Sequence, residues 1–117
     1  MISLPITWPT TEIKAFCEQW LVAELSLFGS ILRKDFHADS DIDVLIAFTP
    51  EADWSLFDHV RMQEALTALL KRKVDLVSKR AIERSHNPIR RKNILSTAQV
   101  IYSQNARVLK TEIFSHL

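Results

Sequence analysis

At 117 residues, with 47% hydrophobic and 25% charged side chains, the chain is long enough for one core without disulfides or a structural metal. A formal net charge of +1 gives no global argument for nucleic-acid or membrane binding, and the lone Cys17 excludes an internal disulfide and suits a reducing compartment. No stretch reaches the ~18 apolar residues of a membrane span, and Met1-Ile2-Ser3-Leu4-Pro5 lacks a basic n-region, so a soluble cytoplasmic protein without an export signal is expected.

Trp8-Pro9-Thr10-Thr11 reads as a helix entrance with a Thr as N-cap, and Ile13, Phe16, Cys17, Trp20 and Leu21 follow as one apolar stripe. Cys17 on that stripe is expected in the core. Leu25, Leu27 and Phe28 suggest a short strand that ends at Gly29-Ser30, and Ile31-Leu32-Arg33-Lys34 then begins a helical turn. A polar loop runs from Asp35 to Ser40. Asp41 to Phe48 reads as a central strand, because Val44-Leu45-Ile46-Ala47-Phe48 is continuously apolar.

Met62, Ala65, Leu66, Leu69 and Leu70 form a second helical stripe, with Leu56, Phe57 and Val60 off its face. Lys73 to Val77 is a third strand. Asn87-Pro88 supplies an N-cap and an N1 proline for a short helix, and Val100-Ile101-Tyr102 a last strand. The tail 103–117 is weakly amphipathic through Val108, Leu109, Ile113 and Phe114. No repeat, low-complexity tract or linker interrupts the chain, so one domain over 1–117 is expected, with its motifs inside about 21–102. Alternating helices and strands point to an α/β or α+β fold with a small mixed sheet.

Charge is unevenly distributed. Asp35 to Asp58 holds seven of the fourteen acids, whereas Lys71 to Lys92 holds nine of the fifteen Lys and Arg residues. Folded together, the two halves could form a cleft for an anion and a metal.

The chemistry is concentrated in three segments. Gly29, the only glycine, precedes Ser30, and ten residues separate Ser30 from Asp41-Ile42-Asp43. On a strand, i and i+2 project from one face, so Asp41 and Asp43 would stand side by side with Ile42 turned to the core. Adjacent carboxylates raise each other's pKa, and a divalent cation relieves that repulsion most directly. Asp75 in the third strand can join them, and three oxygen ligands without His or Cys favour Mg²⁺ or Mn²⁺ over zinc. A Gly-Ser turn opening a helix aims N–H groups and a hydroxyl at phosphate oxygens, with the helix dipole favouring the anion. A polar turn and a strand-edge carboxylate are the bland alternatives for the two acidic motifs.

Leu27-Phe28-Gly29-Ser30-Ile31-Leu32-Arg33-Lys34-Asp35-Phe36, Asp39-Ser40-Asp41-Ile42-Asp43-Val44-Leu45-Ile46 and Lys73-Val74-Asp75-Leu76-Val77 resemble the minimal nucleotidyltransferases of the DNA polymerase β superfamily. The resemblance implies a small mixed sheet flanked by helices. It implies that Gly29 and Ser30, with Arg33 and Ser40 beside them, contact a triphosphate, and that Asp41, Asp43 and Asp75 bind two Mg²⁺ ions. Many small members are antitoxins that transfer AMP from ATP to a tyrosine hydroxyl of a HEPN-type ribonuclease toxin, and the resemblance implies that role. Asp75, on the nucleophile side alone, is then the expected proton acceptor. The tail after Tyr102 is longer than such members lead one to expect and could dock a partner.

Two other readings remain: a non-catalytic antitoxin that masks the toxin by binding, and a small-molecule nucleotidyltransferase of the antibiotic-modifying kind. Arg80 and His86 match the R-x(4–6)-H spacing of HEPN ribonucleases but fall in a loop and a helix entrance. Arg90-Arg91-Lys92 and Lys71-Arg72-Lys73 read first as solvated helix surface, then as a docking or nucleic-acid patch; direct nucleic-acid binding is not expected, since aromatic interleaving is missing. Tyr102 is expected buried, His37 at the surface, and Trp8, Trp20 and Trp54 at the core or its rim.

Overall fold

The computed structural model describes residues 8–33, 37 and 39–104. Readings that fall on the N-terminal pentapeptide, on Lys34 to Phe36 and on the tail beyond Gln104 lie outside the described residues.

Four strands form one mixed sheet: β1 (Val22–Phe28), β2 (Ile42–Phe48), β3 (Val74–Ser78) and β4 (Gln99–Ser103), in the order β3-β2-β1-β4. β1 pairs antiparallel with both β2 and β4, whereas β2 and β3 are parallel. A parallel pair needs a long crossover, and helix α2 (Leu56–Leu70) provides it. The other helices are α1 (Thr10–Gln19), the five-residue α3 (Lys79–Glu83) and α4 (Pro88–Thr97). No helix among the described residues is long and apolar enough to cross a membrane.

The main core lies on one sheet face. Ile13, Phe16 and Cys17 of α1 and Met62, Leu66 and Leu70 of α2 pack there on Leu25, Leu27, Ile42, Val44 and Ile46. Trp8, Trp20 and Trp54 pack at its edge, with the Trp54 indole donating to the Trp20 carbonyl at 2.8 Å. Burial, with the neighbouring Glu18 charge, pushes the Cys17 thiol up to about 12, so it is packing rather than a nucleophile. Tyr102 is likewise buried. A smaller cluster on the opposite face joins Phe28 and Leu45 to Ile82 of α3 and Ile94 of α4.

Several boundaries differ from the sequence reading. The N-cap of α1 is Pro9, with no side-chain cap bond, and the Thr10 hydroxyl bonds back to the Trp8 carbonyl at 3.4 Å. The stripe also ends sooner than its period suggests: α1 stops at Gln19, and Leu21, in left-handed backbone, is exposed. α2 starts at Leu56 because Ser55 and Asp58 form a reciprocal capping box. That local signal prevails although Leu56 and Phe57 are left 81% and 82% exposed. Asn87 caps α4 as expected, accepting from the Arg90 N–H at 3.1 Å.

β3 is an edge strand, and α2 covers its open side with polar side chains. The Val74 N–H donates to Thr67 Oγ1 at 3.2 Å and the Leu76 N–H to Gln63 Oε1 at 3.0 Å. His59 Nε2 lies 2.8 Å from the Leu76 carbonyl, which can only accept, so the imidazole proton sits on Nε2. These bonds hold the strand on either side of Asp75. Gln63→Leu should lower unfolding stability by about 1–2 kcal/mol, since an edge N–H loses its partner beneath the helix. A urea transition with an unchanged midpoint would count against this role.

Candidate active site

Antiparallel pairing delivers the end of β1 to the start of β2, with Phe28 opposite Asp43. Parallel pairing then sets Asp75 of β3 opposite Asp43. Residues paired across strands share a sheet face, so the two carboxylates are neighbours on the face that carries Phe28 and Leu45. Asp41 does not open the strand, as the sequence reading has it. β2 begins at Ile42, whose N–H bonds the Lys73 carbonyl at 2.9 Å. Asp41 stands just ahead of the sheet, exposed, with Oδ2 3.9 Å from Lys73 Nζ.

Asp43 is the half-buried member of the three. Its pKa is raised, first by burial and then by the charges of Asp75 and Asp41, while Arg33 and Arg90 oppose the rise. Gly29 is packed against it. Gly29 has φ +76°, and a Cβ there would meet Asp43 Oδ2 at 2.2 Å and Cγ at 3.1 Å. The only glycine of the chain thus serves two needs at once, a left-handed backbone and room for a carboxylate.

Beyond Gly29 the helical turn is shorter than expected. Gly29–Leu32 makes one 3-10 turn, and Arg33 returns to extended backbone. The dipole contribution expected of a helix is correspondingly small. Ser30 Oγ lies 3.5 Å from the Asp41 carbonyl. The Ser40 hydroxyl accepts from the His37 N–H at 3.1 Å, and the Ser40 N–H bonds the His37 carbonyl at 3.0 Å. Arg72 Nη2 donates to the carbonyls of both His37 and Ser40, at 2.6 and 2.9 Å, which ties this loop to the end of α2.

A cleft of about 500 Å³ lies over Asp43, with Gly29 and Arg33 on one side and Arg90, Asn93 and Ile94 of α4 on the other. That volume is in the range of small-ligand sites, roughly 300–1,000 Å³. In the basic segments Lys71, Lys73, Arg90 and Lys92 are exposed, as their first reading has it, and Arg72 and Arg91 are half-buried. Arg90 lines the cleft, Arg91 bonds the Ser85 carbonyl at 3.3 Å, Arg72 holds the loop and Lys73 pairs with Asp41. The sequence reading holds Arg90 only as part of a basic run and does not single out Asn93; the Asn87-Pro88 cap locates their helix but not the face it turns to Asp43.

Among the described residues, no three His, Cys, Asp or Glu side chains stand close enough together to hold a metal ion as they are. The donor set still fits a hard divalent cation. It is all oxygen and its members repel one another. An exposed 3.9 Å ion pair holds Asp41 only weakly, so it can turn from Lys73 toward the other two.

The nucleotidyltransferase domain family matches residues 12–101. Protein adenylyltransferase MntA of Thermococcus cleftensis is 38% identical over 74 residues, which cover 63% of this chain and 73% of the relative. Among solved structures, a chain of a toxin-antitoxin crystallised with AMP-PNP superposes with a TM-score of 0.64 at 18% identity, covering 93% of this chain and 86% of that one. A chain from the complex of tri-AMPylated Shewanella oneidensis HEPN toxin with MNT antitoxin gives 0.56 at 18% identity, over 90% and 76% of the two chains. At these identities the structural likenesses establish the fold.

Proposed function

Since this chain belongs to the nucleotidyltransferase domain family, as a minimal nucleotidyltransferase of the DNA polymerase β type, we propose that it is an antitoxin that transfers AMP from ATP to a hydroxyl, of a tyrosine by our reading, on a HEPN-type ribonuclease toxin. The observation that carries the chemistry is the cross-strand pairing of Asp43 with Asp75, with Asp41 just ahead and Gly29 packed against Asp43. The partner reading is supported by the name of the Thermococcus relative and by the toxin-antitoxin assemblies that share the fold.

In this reading the triphosphate lies along Gly29 and Ser30, with Arg33 and the Ser40 loop flanking it. The toxin hydroxyl attacks the α-phosphorus in line, the bond to the bridging oxygen of the β-phosphate breaks, and pyrophosphate departs. Asp75, the more exposed of the paired carboxylates, takes the hydroxyl proton. Asp41, Asp43 and Asp75 would hold Mg²⁺, which when bound neutralises phosphate charge and favours ionisation of the attacking hydroxyl. Without a cation, the same three charges repel an incoming polyphosphate.

The test is intact-mass spectrometry of a cognate HEPN-type protein after incubation with this chain, ATP and Mg²⁺. The expected result is a mass increase of whole AMP units on the toxin, absent with the Asp41→Ala, Asp43→Ala double variant. A toxin silenced in the complex but unchanged in mass would replace this reading with inhibition by masking.

A further inference from the structure

α4 carries a second set of groups aimed at the same cleft. Its rotation is set by Ile94, buried with Phe28, Leu45 and Ile82. Arg90 stands four residues before Ile94 and three before Asn93, spacings that share a helix face, and both Arg90 and Asn93 line the cleft. Arg91, one residue on, points elsewhere and bonds the Ser85 carbonyl. The Asn87 cap bonds the Arg90 N–H and fixes where the helix begins.

We propose that α4 is the second wall of the nucleotide site, where Arg90 binds the polyphosphate and Asn93, one turn along, hydrogen-bonds the nucleoside. The inference rests on the nucleotidyl-transfer reading and deepens it, by naming groups outside the Gly-Ser and aspartate motifs. Arg90 shares the cleft with Gly29 and Asp43, where the phosphates would lie, and its planar fork can grip two phosphate oxygens at once. It also supplies positive charge where three carboxylates would otherwise turn an anion away. The Asn93 side-chain amide, both donor and acceptor, makes no hydrogen bond among the described residues, while the Ser96 and Thr97 hydroxyls bond its backbone carbonyl. The three residues from Arg90 to Asn93 advance about 4.5 Å along the helix, enough to carry the contacts from phosphate toward sugar and base.

The experiment is a calorimetric affinity series of adenosine, AMP, ADP and ATP with Mg²⁺ on the full chain. In the wild type, affinity should climb with phosphate number. Arg90→Ala should flatten that climb, weakening ATP about 10- to 100-fold while leaving adenosine unchanged. Arg91→Ala removes the same formal charge from the neighbouring position and should leave the climb intact. Asn93→Leu should weaken all four ligands by a common factor and preserve the slope. An Arg90→Ala protein with the full phosphate dependence overturns the assignment, as does an Asn93→Leu protein that binds adenosine normally. A wild type that binds none of the four would instead overturn the transfer reading itself.

Discussion

Asp43→Asn will melt at a higher temperature than the wild type in the absence of divalent cations, and it will transfer AMP far more slowly. Both effects have one origin. Burial and the charges of Asp75 and Asp41 raise the Asp43 pKa, so the ionised form is disfavoured in the folded state. With the folded pKa above the unfolded one, the folded protein binds more protons between the two values. Stability therefore falls as pH rises from the ordinary aspartate range through the raised folded value, and the contribution is fully present only below that window. Asparagine keeps the shape and removes the charge, so the variant should show no such decline. Its transfer rate should drop on the order of 10³-fold or more, as with other central members of a catalytic group. Thermal melts in EDTA across pH, beside the mass assay, give both readouts. A variant that melts no higher than the wild type, with the same pH slope, would sink the electrostatic account, and one that transfers AMP at the wild-type rate would sink the catalytic one. A gain in stability bought with loss of function is the usual mark of an active-site charge.

Gly29→Ala will lose activity out of proportion to its loss of stability. A left-handed backbone costs an alanine about 1–2 kcal/mol. A Cβ 2.2 Å from Asp43 Oδ2 then forces the carboxylate aside, away from its alignment with Asp75. A misplacement near 1 Å at the chemistry can cost about 10²-fold in rate, so turnover should fall by about that factor while the protein still melts cooperatively. Denaturant midpoints and initial rates of AMP transfer, on the same preparation, separate the two. Wild-type turnover in Gly29→Ala would show that Asp43 need not stand where it does.

The main elements could be read from patterns with a local cause. The run Val44 to Phe48 is apolar because a central strand is covered on both faces, and Leu45 and Ile46 fall in opposite clusters. The Asn87-Pro88 pair marked a helix start because capping is settled within one turn. Where local signals competed, the reading slipped. Ser55 and Asp58 start α2 against its apolar pattern, and a five-residue α3 has too little period to notice. β1 starts at Val22, three residues before the apolar pattern at Leu25 marks a strand, because Ala23 and Glu24 interrupt that pattern.

For the site, the sequence by itself determined the inventory. One glycine before a serine, two aspartates two residues apart and a third in another apolar run carry their chemistry in their side chains and spacing. Only the tertiary structure decided which of these groups meet. Strand register faces Asp43 with Asp75, sheet order brings Gly29 against Asp43, and the burial of Ile94 turns Arg90 into the cleft. The physical reason is that register and helix rotation are set by the packing of surfaces distant along the chain, and no local run of residues encodes a contact between strands more than thirty positions apart.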